Sequence, residues 1–409
     1  MIQRVRSPAI VVLFLTWILF AVYYFNRFNY SPVIPLIKAD LDISNARAGA
    51  LLAFFFLSYM AFQLPAGYLG DRFGPRKMLA AGGIVSVIGN LIFSQVNGFA
   101  FLALGQMING MGQAVGWSSA IKMVVNWFPK ERRATAIGFF ITCVTIGSSA
   151  GIRMSGLIGD RLGWRASFMI PPVLMLGTLV VFWLVVRDSP ADTGHSGFED
   201  EAALEQIVPG DFKSRIRLVL THRTLWIVAL VYFCFVYVQF GCLVWIPTFL
   251  AEKYAMSVDR ASLLTSLILL PGIFASPLCG VLSDRVFKGK RKPLIVIEMA
   301  ILAGICFLLG FDLDISVAIV LLAMVGLMIL MPDVLLATFP ADILSRKLTA
   351  TGMGFLATFT SAAGIVTTPL SGMIVDLFHS YGALFFSFTV AALAGMIVAM
   401  FINEKTAEA

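Results

Sequence analysis

Long, almost unbroken runs of apolar residues dominate the chain and are separated by short polar loops. Runs such as 8–24 and 173–186 hold few polar positions and show no alternation of apolar and polar residues. About 20 apolar residues suffice for a helix to cross the hydrocarbon layer of a membrane. Backbone groups in that layer need helices or a closed barrel, and barrel strands alternate in hydrophobicity. The pattern therefore predicts an all-α membrane protein.

Twelve membrane-spanning helices are predicted, six on either side of one long polar segment. They are placed at 9–36, 46–70, 77–96, 100–127, 134–159, 166–187, 224–250, 260–283, 292–310, 314–338, 348–375 and 380–402. The chain is thus expected to form an N-terminal six-helix bundle (1–187) and a C-terminal one (224–409). The segment 188–223 between them begins acidic and ends basic, which favours a cytoplasmic linker, part of it an amphipathic helix on the membrane surface.

The two halves of the sequence repeat each other. Four short matches occur in the same order: Gly67–Arg72 with Gly280–Arg285 at an offset of 213, Ile34-Pro35 with Ile246-Pro247, Phe128-Pro129 with Phe339-Pro340, and Ser155–Asp160 with Ser371–Asp376. Each match joins corresponding helices that run in the same sense. The halves are therefore predicted to be parallel repeats related by an axis along the membrane normal.

Composition and charge agree with a membrane protein and exclude several other functions. Only 13% of residues are charged and mean hydropathy is +0.89, whereas soluble domains carry roughly 25% charged residues. The net charge of +7 comes mostly from short loops on one side, so both termini and the linker are expected to be cytoplasmic, without a nucleic-acid partner. The five cysteines fall in apolar spans, and no P-loop, catalytic triad or metal-ligand spacing occurs. We expect no enzyme, cofactor or metal site.

A loop motif in the first half resembles the signature G-x-L-x-D-R-x-G-x-R-K of the major facilitator superfamily. It consists of Gly67, Leu69, Asp71, Arg72, Gly74, Arg76 and Lys77, with a second copy at Asp284 and Arg285. The resemblance covers the whole chain and implies the twelve-helix major facilitator fold, with alternating access. It also implies that this cluster holds the cytoplasmic ends together, with Asp71 able to cap a helix. The alternative is loop charge that only sets topology.

The first helix narrows the resemblance to one branch of that family. Tyr23-Tyr24-Phe25-Asn26-Arg27, followed by Pro32 and Pro35, is similar to anion:cation symporters and organophosphate transporters, as is 126–129 before Arg132 and Arg133. Two positions depart from the pattern. Gln106 stands where the fourth helix often has Arg, and Gln239 stands where organophosphate transporters have a second Arg. The departures favour a carboxylate over a doubly charged phosphate ester.

Ionisable groups inside predicted spans are candidate functional residues, because burying charge in a membrane is costly. Arg27 has Tyr23, Tyr24 and Tyr30 at neighbouring helix positions, and a guanidinium with phenolic hydroxyls suits a carboxylate. An arginine that extends to the interface is the alternative. Arg153 is either a second anion contact or, with Asp160 nearby, part of a structural ion pair. Gln239 and Gln113 are the other predicted substrate contacts.

Lys122 and Asp333 occupy equivalent positions in the repeats, six residues before Phe-Pro. They are predicted to pair between the halves when the cytoplasmic side closes, and protonation of Asp333 would weaken the pair. Against this, Gln106, Asn109 and Gln113 mark a polar helix face about 150° away from Lys122. Lys122 would then simply extend to the cytoplasm.

These observations predict a multi-pass secondary transporter for a small organic anion, in the inner membrane if the source is bacterial. Its expected partners are the anionic substrate, a coupling ion such as a proton, and membrane lipid, and the expected state is a monomer. Two alternatives keep the fold. Lys122 and Asp333 could bind the two ends of an amino acid or short peptide, since 26–30 loosely resembles a first-helix motif of proton-coupled peptide transporters. Efflux of apolar compounds is the other.

Overall fold

The structure, a computed structural model, describes residues 2–193, 212–287, 290–329, 331–344 and 346–403. Before the linker it contains α1 (Ile2–Phe28), α2 (Ile34–Leu41), α3 (Asn45–Phe73), α4 (Pro75–Gln95), α5 (Phe99–Ala114), α6 (Gly116–Trp127), α7 (Lys130–Leu162) and α8 (Ala166–Val185). After it come α9 (Phe212–Thr221), α10 (Arg223–Lys253), α11 (Val258–Leu269), α12 (Gly272–Val281), α13 (Lys292–Leu309), α14 (Ile315–Met328), α15 (Met331–Ile343), α16 (Arg346–Phe378) and α17 (Tyr381–Ala399). The described residues contain no β-strand. Linker residues 194–211, which include Glu199, Asp200, Glu201, Glu205 and Asp211, lie outside them.

Four of the predicted helices are each divided in two. The first ends at Phe28 and resumes at Ile34 after a short 3-10 turn, because Pro32 and Pro35 cannot continue the hydrogen-bond ladder. Its repeat partner α10 has only Pro247, which remains inside a continuous helix. The other divisions fall at Val115, at 270–271 and between Met328 and Met331. The match between the repeats therefore does not extend to their local helix geometry.

Ten described stretches are long and apolar enough to cross a membrane. The predicted spans without such a stretch are 100–127, divided at Val115, and 260–283, divided at 270–271. Division leaves each piece too short to span alone at 1.5 Å rise per residue. The protein is an all-helical, multi-pass membrane protein, and the number twelve and the cytoplasmic position of the termini stay predictions.

The helices group into two compact units. The first unit comprises Met1–Ile43, Ala50–Asp200 and Leu250–Ser266, and the second comprises Ser44–Gly49, Glu201–Phe249 and Leu267–Ala409. Each unit thus holds most of one predicted half together with a short segment from the other. The division at 187 and 224 remains a sequence-based proposal.

Within the first unit, glycines bring α4 and α5 into backbone contact. A Cβ placed on Gly89 would lie 2.4 Å from the backbone nitrogen of Asn109, and one on Gly112 would lie 2.5 Å from the carbonyl oxygen of Gly82. Small residues are the usual means of close helix approach in membranes, where apolar burial against lipid gives no net attraction. Polar side chains can then hydrogen-bond directly across the contact.

The polar face of α5 lies in this contact. Asn109 accepts a hydrogen bond from Ser86 Oγ (2.6 Å) and donates one to the carbonyl oxygen of Asn26 (3.2 Å). Gln106 is only 2% exposed. The polar stripe that the sequence shows on this helix is therefore a structural network between α1, α4 and α5. The direction of this polar stripe on α5 therefore does not indicate which way the Lys122 side chain points on α6.

Candidate functional site

Arg27 lies in the last turn of α1, where the helix is about to end at Phe28. The partial negative charge at a helix C-terminus favours a cation there. The guanidinium carbon lies 4.7 Å from the ring centre of Tyr59, 5.2 Å from Phe55, 5.6 Å from Phe56 and 5.7 Å from Tyr24. We call these five residues of the first unit the Arg27 cage.

The cage holds a cation in a defined orientation and leaves it suited to an oxyanion. Aromatic faces attract a guanidinium through their quadrupoles, whereas its N–H bonds point outward in its own plane. The rings therefore do not compete with a carboxylate for those donors. Phe55 and Phe56 are 1% and 4% exposed and form a rigid wall, while Arg27, Tyr24 and Tyr59 are half-buried.

Three members of the cage, Phe55, Phe56 and Tyr59, were not predicted from the sequence. The signal was present as an aromatic run on the second helix, Phe54-Phe55-Phe56 followed by Tyr59. In an apolar span, the residues of such a run more often face lipid or pack in the protein core. Only the packing of α3 against α1 shows that three of its rings meet one guanidinium.

Tyr23, Tyr30 and Gln113, which were predicted as substrate contacts together with Arg27, pack or hydrogen-bond inside the first unit. Tyr23 is fully buried and its hydroxyl donates to the carbonyl oxygen of Leu79 (2.5 Å). Tyr30 is 1% exposed and packs edge-on against aromatic rings of α4 and α8. Gln113 Nε2 donates to Tyr23 O (2.9 Å) and Ser86 Oγ (3.2 Å). Substrate contacts from these three side chains stay predictions.

Arg153 forms an ion pair with Asp259 in the first turn of α11, within the first unit. The same guanidinium also donates to the backbone oxygen of Asp259 (3.4 Å), and the two side chains are 27% and 30% exposed. Asp160 is exposed. The arrangement supports the structural-pair alternative with a different acidic partner, while an anion contact remains untested.

In the second unit, Gln239 and Asp333 hydrogen-bond to each other. Gln239 Nε2 donates to Asp333 Oδ2 (2.7 Å) and to the carbonyl oxygen of Ile329 (2.6 Å), the last residue before the division of this helix. The Tyr232 hydroxyl also interacts with the Asp333 carboxyl. An amide nitrogen has two N–H donors, and both are used. Gln239 could bind an anion through its N–H groups only by giving up one of these bonds, so that role stays a prediction.

Lys122 lies in α6 and is half-buried. Its Nζ donates to the carbonyl oxygen of Gly70 (3.2 Å), near the end of α3. The predicted pair with Asp333 would join residues of different units and stays a prediction. The polar face of α5 makes structural contacts with α1 and α4, so its direction is not evidence against this pair.

The signature loop is organised by Asp188, a residue that the sequence analysis did not single out. Its carboxylate accepts the backbone N–H of Arg76 (2.7 Å) at the start of α4, next to Gly74, whose φ of +84° favours glycine. The Arg76 guanidinium lies 4.1 Å from the Trp183 ring centre and donates to the Trp183 carbonyl oxygen. The loop is thereby fixed to the end of α8.

The structure shows fewer contacts for the other signature residues. Arg72 and Arg285 are exposed. The side chains of Asp71 and Asp284, and the surroundings of Gly67, lie outside the part that the structure describes. Their capping and gating roles stay predictions.

Comparison with known protein families decides the class of the protein. The model of the Major Facilitator Superfamily matches residues 16–366 and 249–409. The chain belongs to the Major Facilitator Superfamily. It is therefore a membrane transporter and not an enzyme, as the loop motif and the internal repeat predicted.

Relatives in this superfamily carry organic anions. The chain is 25% identical to the hexuronate transporter of Bacillus subtilis, over 98% of this chain and 96% of the relative. It is 26% identical to a probable hexose phosphate transport protein of Chlamydia pneumoniae, over 94% and 88%. A bacterial homologue of the human lysosomal transporter Spinster superposes with a TM-score of 0.78 at 17% identity, covering 97% of this chain and 95% of the other. That likeness shows the fold alone.

Proposed function

We propose that the protein is a secondary transporter that moves a small carboxylate across the membrane by alternating access. The observation that carries the proposal is the Arg27 cage, a half-buried guanidinium held at a helix end by four aromatic rings. A guanidinium binds a carboxylate through two parallel hydrogen bonds. Apolar walls beside it strengthen that attraction by excluding water.

The environment of Gln239 favours a single negative charge on the substrate. Gln239 stands where organophosphate transporters have a second arginine, and its amide is bonded to the Asp333 carboxyl. A second arginine would match the second charge of a phosphate ester, whereas this amide is already bonded to a carboxyl. Among the relatives, hexuronate is a carboxylate and hexose phosphate is a phosphate ester, so the superfamily branch alone does not choose between them.

Asp333 is the proposed coupling group, with a proton as the coupling ion. Asp333 lies in the first turn of α15. Its carboxyl accepts a hydrogen bond from Gln239 and interacts with the Tyr232 hydroxyl. Protonation would weaken those bonds and any pairing with Lys122. The signature loop, with Arg72, Arg76 and Arg285, would stabilise one of the alternating states.

Thermal unfolding of the purified protein with candidate ligands tests the anion site. A ligand that binds the folded state raises the melting temperature by mass action. The panel holds small carboxylates, phosphate esters, amino acids and dipeptides, each tested on the wild type, Arg27→Ala and Arg161→Ala. Arg161 is an exposed arginine of the same unit and is the matched control.

We expect a carboxylate to stabilise the wild type and Arg161→Ala but not Arg27→Ala. Equal stabilisation of Arg27→Ala would overturn the site. A rise in melting temperature with phosphate esters alone would contradict the proposal that the substrate is a carboxylate. Stabilisation by amino acids or dipeptides that is kept in Arg27→Ala and lost in Lys122→Ala and Asp333→Asn, measured in the same way, would replace the proposal with a zwitterion transporter.

A further inference from the structure

A buried acidic side chain in the second unit, Glu298, takes no part in the proposed anion site. Glu298 lies on α13 and is 2% exposed. Its Oε1 lies 3.5 Å from the Sγ of Cys279 on α12, which is fully buried. Among the described residues, no group hydrogen-bonds its Oε2. Both oxygens of a buried carboxyl normally have hydrogen-bond partners, so the environment of Oε2 is unusual.

The Cys279 thiol has two acceptors and only one hydrogen. Its sulfur lies 3.5 Å from Glu298 Oε1 and 3.4 Å from the carbonyl oxygen of Met331, the first residue of α15. A thiol donates one hydrogen bond, and an ionised carboxylate donates none. With Glu298 ionised, either the carboxylate or the Met331 carbonyl therefore loses the thiol hydrogen.

One added proton gives both neighbours of the Cys279 thiol a hydrogen bond and leaves Oε2 as an uncharged carbonyl oxygen, which costs less to bury unpaired than an ionised carboxylate. A proton on Glu298 Oε1 lets the carboxyl donate to the Cys279 sulfur, while the thiol hydrogen goes to the Met331 carbonyl. The resulting chain links α13, α12 and α15. Loss of that proton turns the thiol toward the carboxylate and frees the Met331 carbonyl, two residues before Asp333.

We propose that Glu298 is a proton-binding site of the second unit and that Cys279 transmits its protonation state to α15, the helix that carries Asp333. The proton site stands on the geometry alone. Its role as a coupling site beside Asp333 rests on the proposed function.

The described surroundings contain few other charges. Arg291, just before α13, acts electrostatically on Cys279 and donates to the carbonyl oxygen of Leu335 (3.3 Å); Lys292 begins the same helix. Of the other helices packed against α13, α14 has no titratable residue, α17 has only Tyr381, and α15 has Asp333 and Asp342. Asp333 bonds to Gln239, and the Asp342 side chain lies outside the described part.

Infrared difference spectroscopy of the full-length protein in lipid bilayers tests the site without a transport substrate. Spectra at alkaline pH are subtracted from spectra at acidic pH for the wild type, Glu298→Gln, Cys279→Ala and two controls. Cys306→Ala removes a buried thiol from the same helix α13, and Asp333→Asn removes the half-buried acid of α15.

We expect the wild type to lose a protonated-carboxyl band at alkaline pH and to shift an S–H band at the same time. Glu298→Gln should remove the S–H shift and the part of the carboxyl band that Asp333→Asn retains, and Cys279→Ala should remove the S–H signal and keep that part of the carboxyl band at a changed frequency. Both controls should keep the S–H shift. A carboxyl band that persists unchanged in Glu298→Gln overturns the proton site, and an S–H shift that survives in Cys279→Ala overturns the transmission. Neither result depends on whether the protein carries a carboxylate.

Discussion

The guanidinium of Arg27 faces the Tyr59 ring at 4.7 Å, a contact between the end of α1 and the middle of α3. It is the shortest of the four aromatic contacts around Arg27 that the described residues make. Tyr59 is also half-buried, and its side chain carries a phenolic hydroxyl in addition to the ring face. The ring and the hydroxyl can contribute separately to carboxylate affinity, and substitutions of Tyr59 distinguish the two contributions.

Replacing Tyr59 by leucine should weaken carboxylate binding, while phenylalanine should largely preserve it. Cation–π contacts contribute about 1–2 kcal/mol when partly desolvated, so Tyr59→Leu should lower affinity by about 5- to 30-fold. Tyr59→Phe keeps the ring face, and we expect a change within about twofold. Titration calorimetry with the carboxylate found in the thermal panel measures both values. Wild-type affinity in Tyr59→Leu would show that the ring does not position Arg27.

Arg153 and Asp259 should behave as a structural pair in a double-mutant cycle. Partly exposed ion pairs contribute about 0.2–1 kcal/mol, so Arg153→Gln and Asp259→Asn should each lower thermal stability slightly. The double variant should lose less than the sum of the two, because the second change removes a charge that already lacks its partner.

The same variants distinguish the other role of Arg153. As a structural pair, both single variants keep the melting-temperature rise that the carboxylate induces. An arginine that contacts the anion would give a different result: Arg153→Gln would lose that rise, and Asp259→Asn would keep it.

Gly89→Ala should destabilise the first unit, because the added methyl group would meet backbone rather than a flexible side chain. The new Cβ would lie 2.4 Å from the Asn109 nitrogen and 2.7 Å from the Gly105 carbonyl oxygen. Overpacking of this kind costs about 1–3 kcal/mol. Gly138→Ala is the control, since nothing lies within 4 Å of its Cβ position and alanine favours the helix.

Melting temperatures in detergent measure this difference. Gly89→Ala should melt clearly below the wild type, and Gly138→Ala should melt at or above it. Equal melting temperatures of the two variants would mean that α4 and α5 can move apart without a loss of stability.

The fold was largely predictable from sequence because its determinants are local or repeated. Apolar runs placed each helix, and the copies of the loop motif at Asp71 and Asp284 indicated the superfamily. The division at Val115 lies between Gly112 and Gly116, glycines that permit a bend, although no proline fixes where the helix breaks. Glycine is a recognised local cause of a helix kink, and the exact position of the break depends also on packing against neighbouring helices.

The candidate site was predictable only in part. Arg27 and Tyr24 stood out because a charged residue beside an aromatic one is unusual in an apolar span. Helical periodicity also assigned Tyr23 and Gln113 to the site, although both hydrogen-bond inside the first unit. Periodicity identifies a polar face, but it does not tell whether that face meets substrate or another helix. Pairs distant in sequence, such as Gln239 with Asp333, require the tertiary structure.

Asp188 should stabilise the start of α4 as a helix cap, in a signature loop where sequence alone directs attention to Asp71. Its carboxylate accepts the Arg76 N–H at 2.7 Å, one of the backbone donors that a helix start leaves without an intrahelical partner. Loss of such a cap costs about 0.5–2 kcal/mol, so Asp188→Ala should lower the melting temperature. Asp188→Asn keeps an acceptor oxygen in the same place but removes the charge.

The two Asp188 variants separate capping from charge. If the hydrogen bond to Arg76 dominates, Asp188→Asn should retain most of the wild-type stability, because asparagine caps helices about as well as aspartate. If attraction to the positive helix end and to the Arg76 side chain dominates, both variants should lose stability equally, and added salt should reduce the difference from wild type. Since the Arg76 N–H is a direct partner, we expect the first result. Wild-type stability in Asp188→Ala would show instead that water replaces the carboxylate at this helix start without cost.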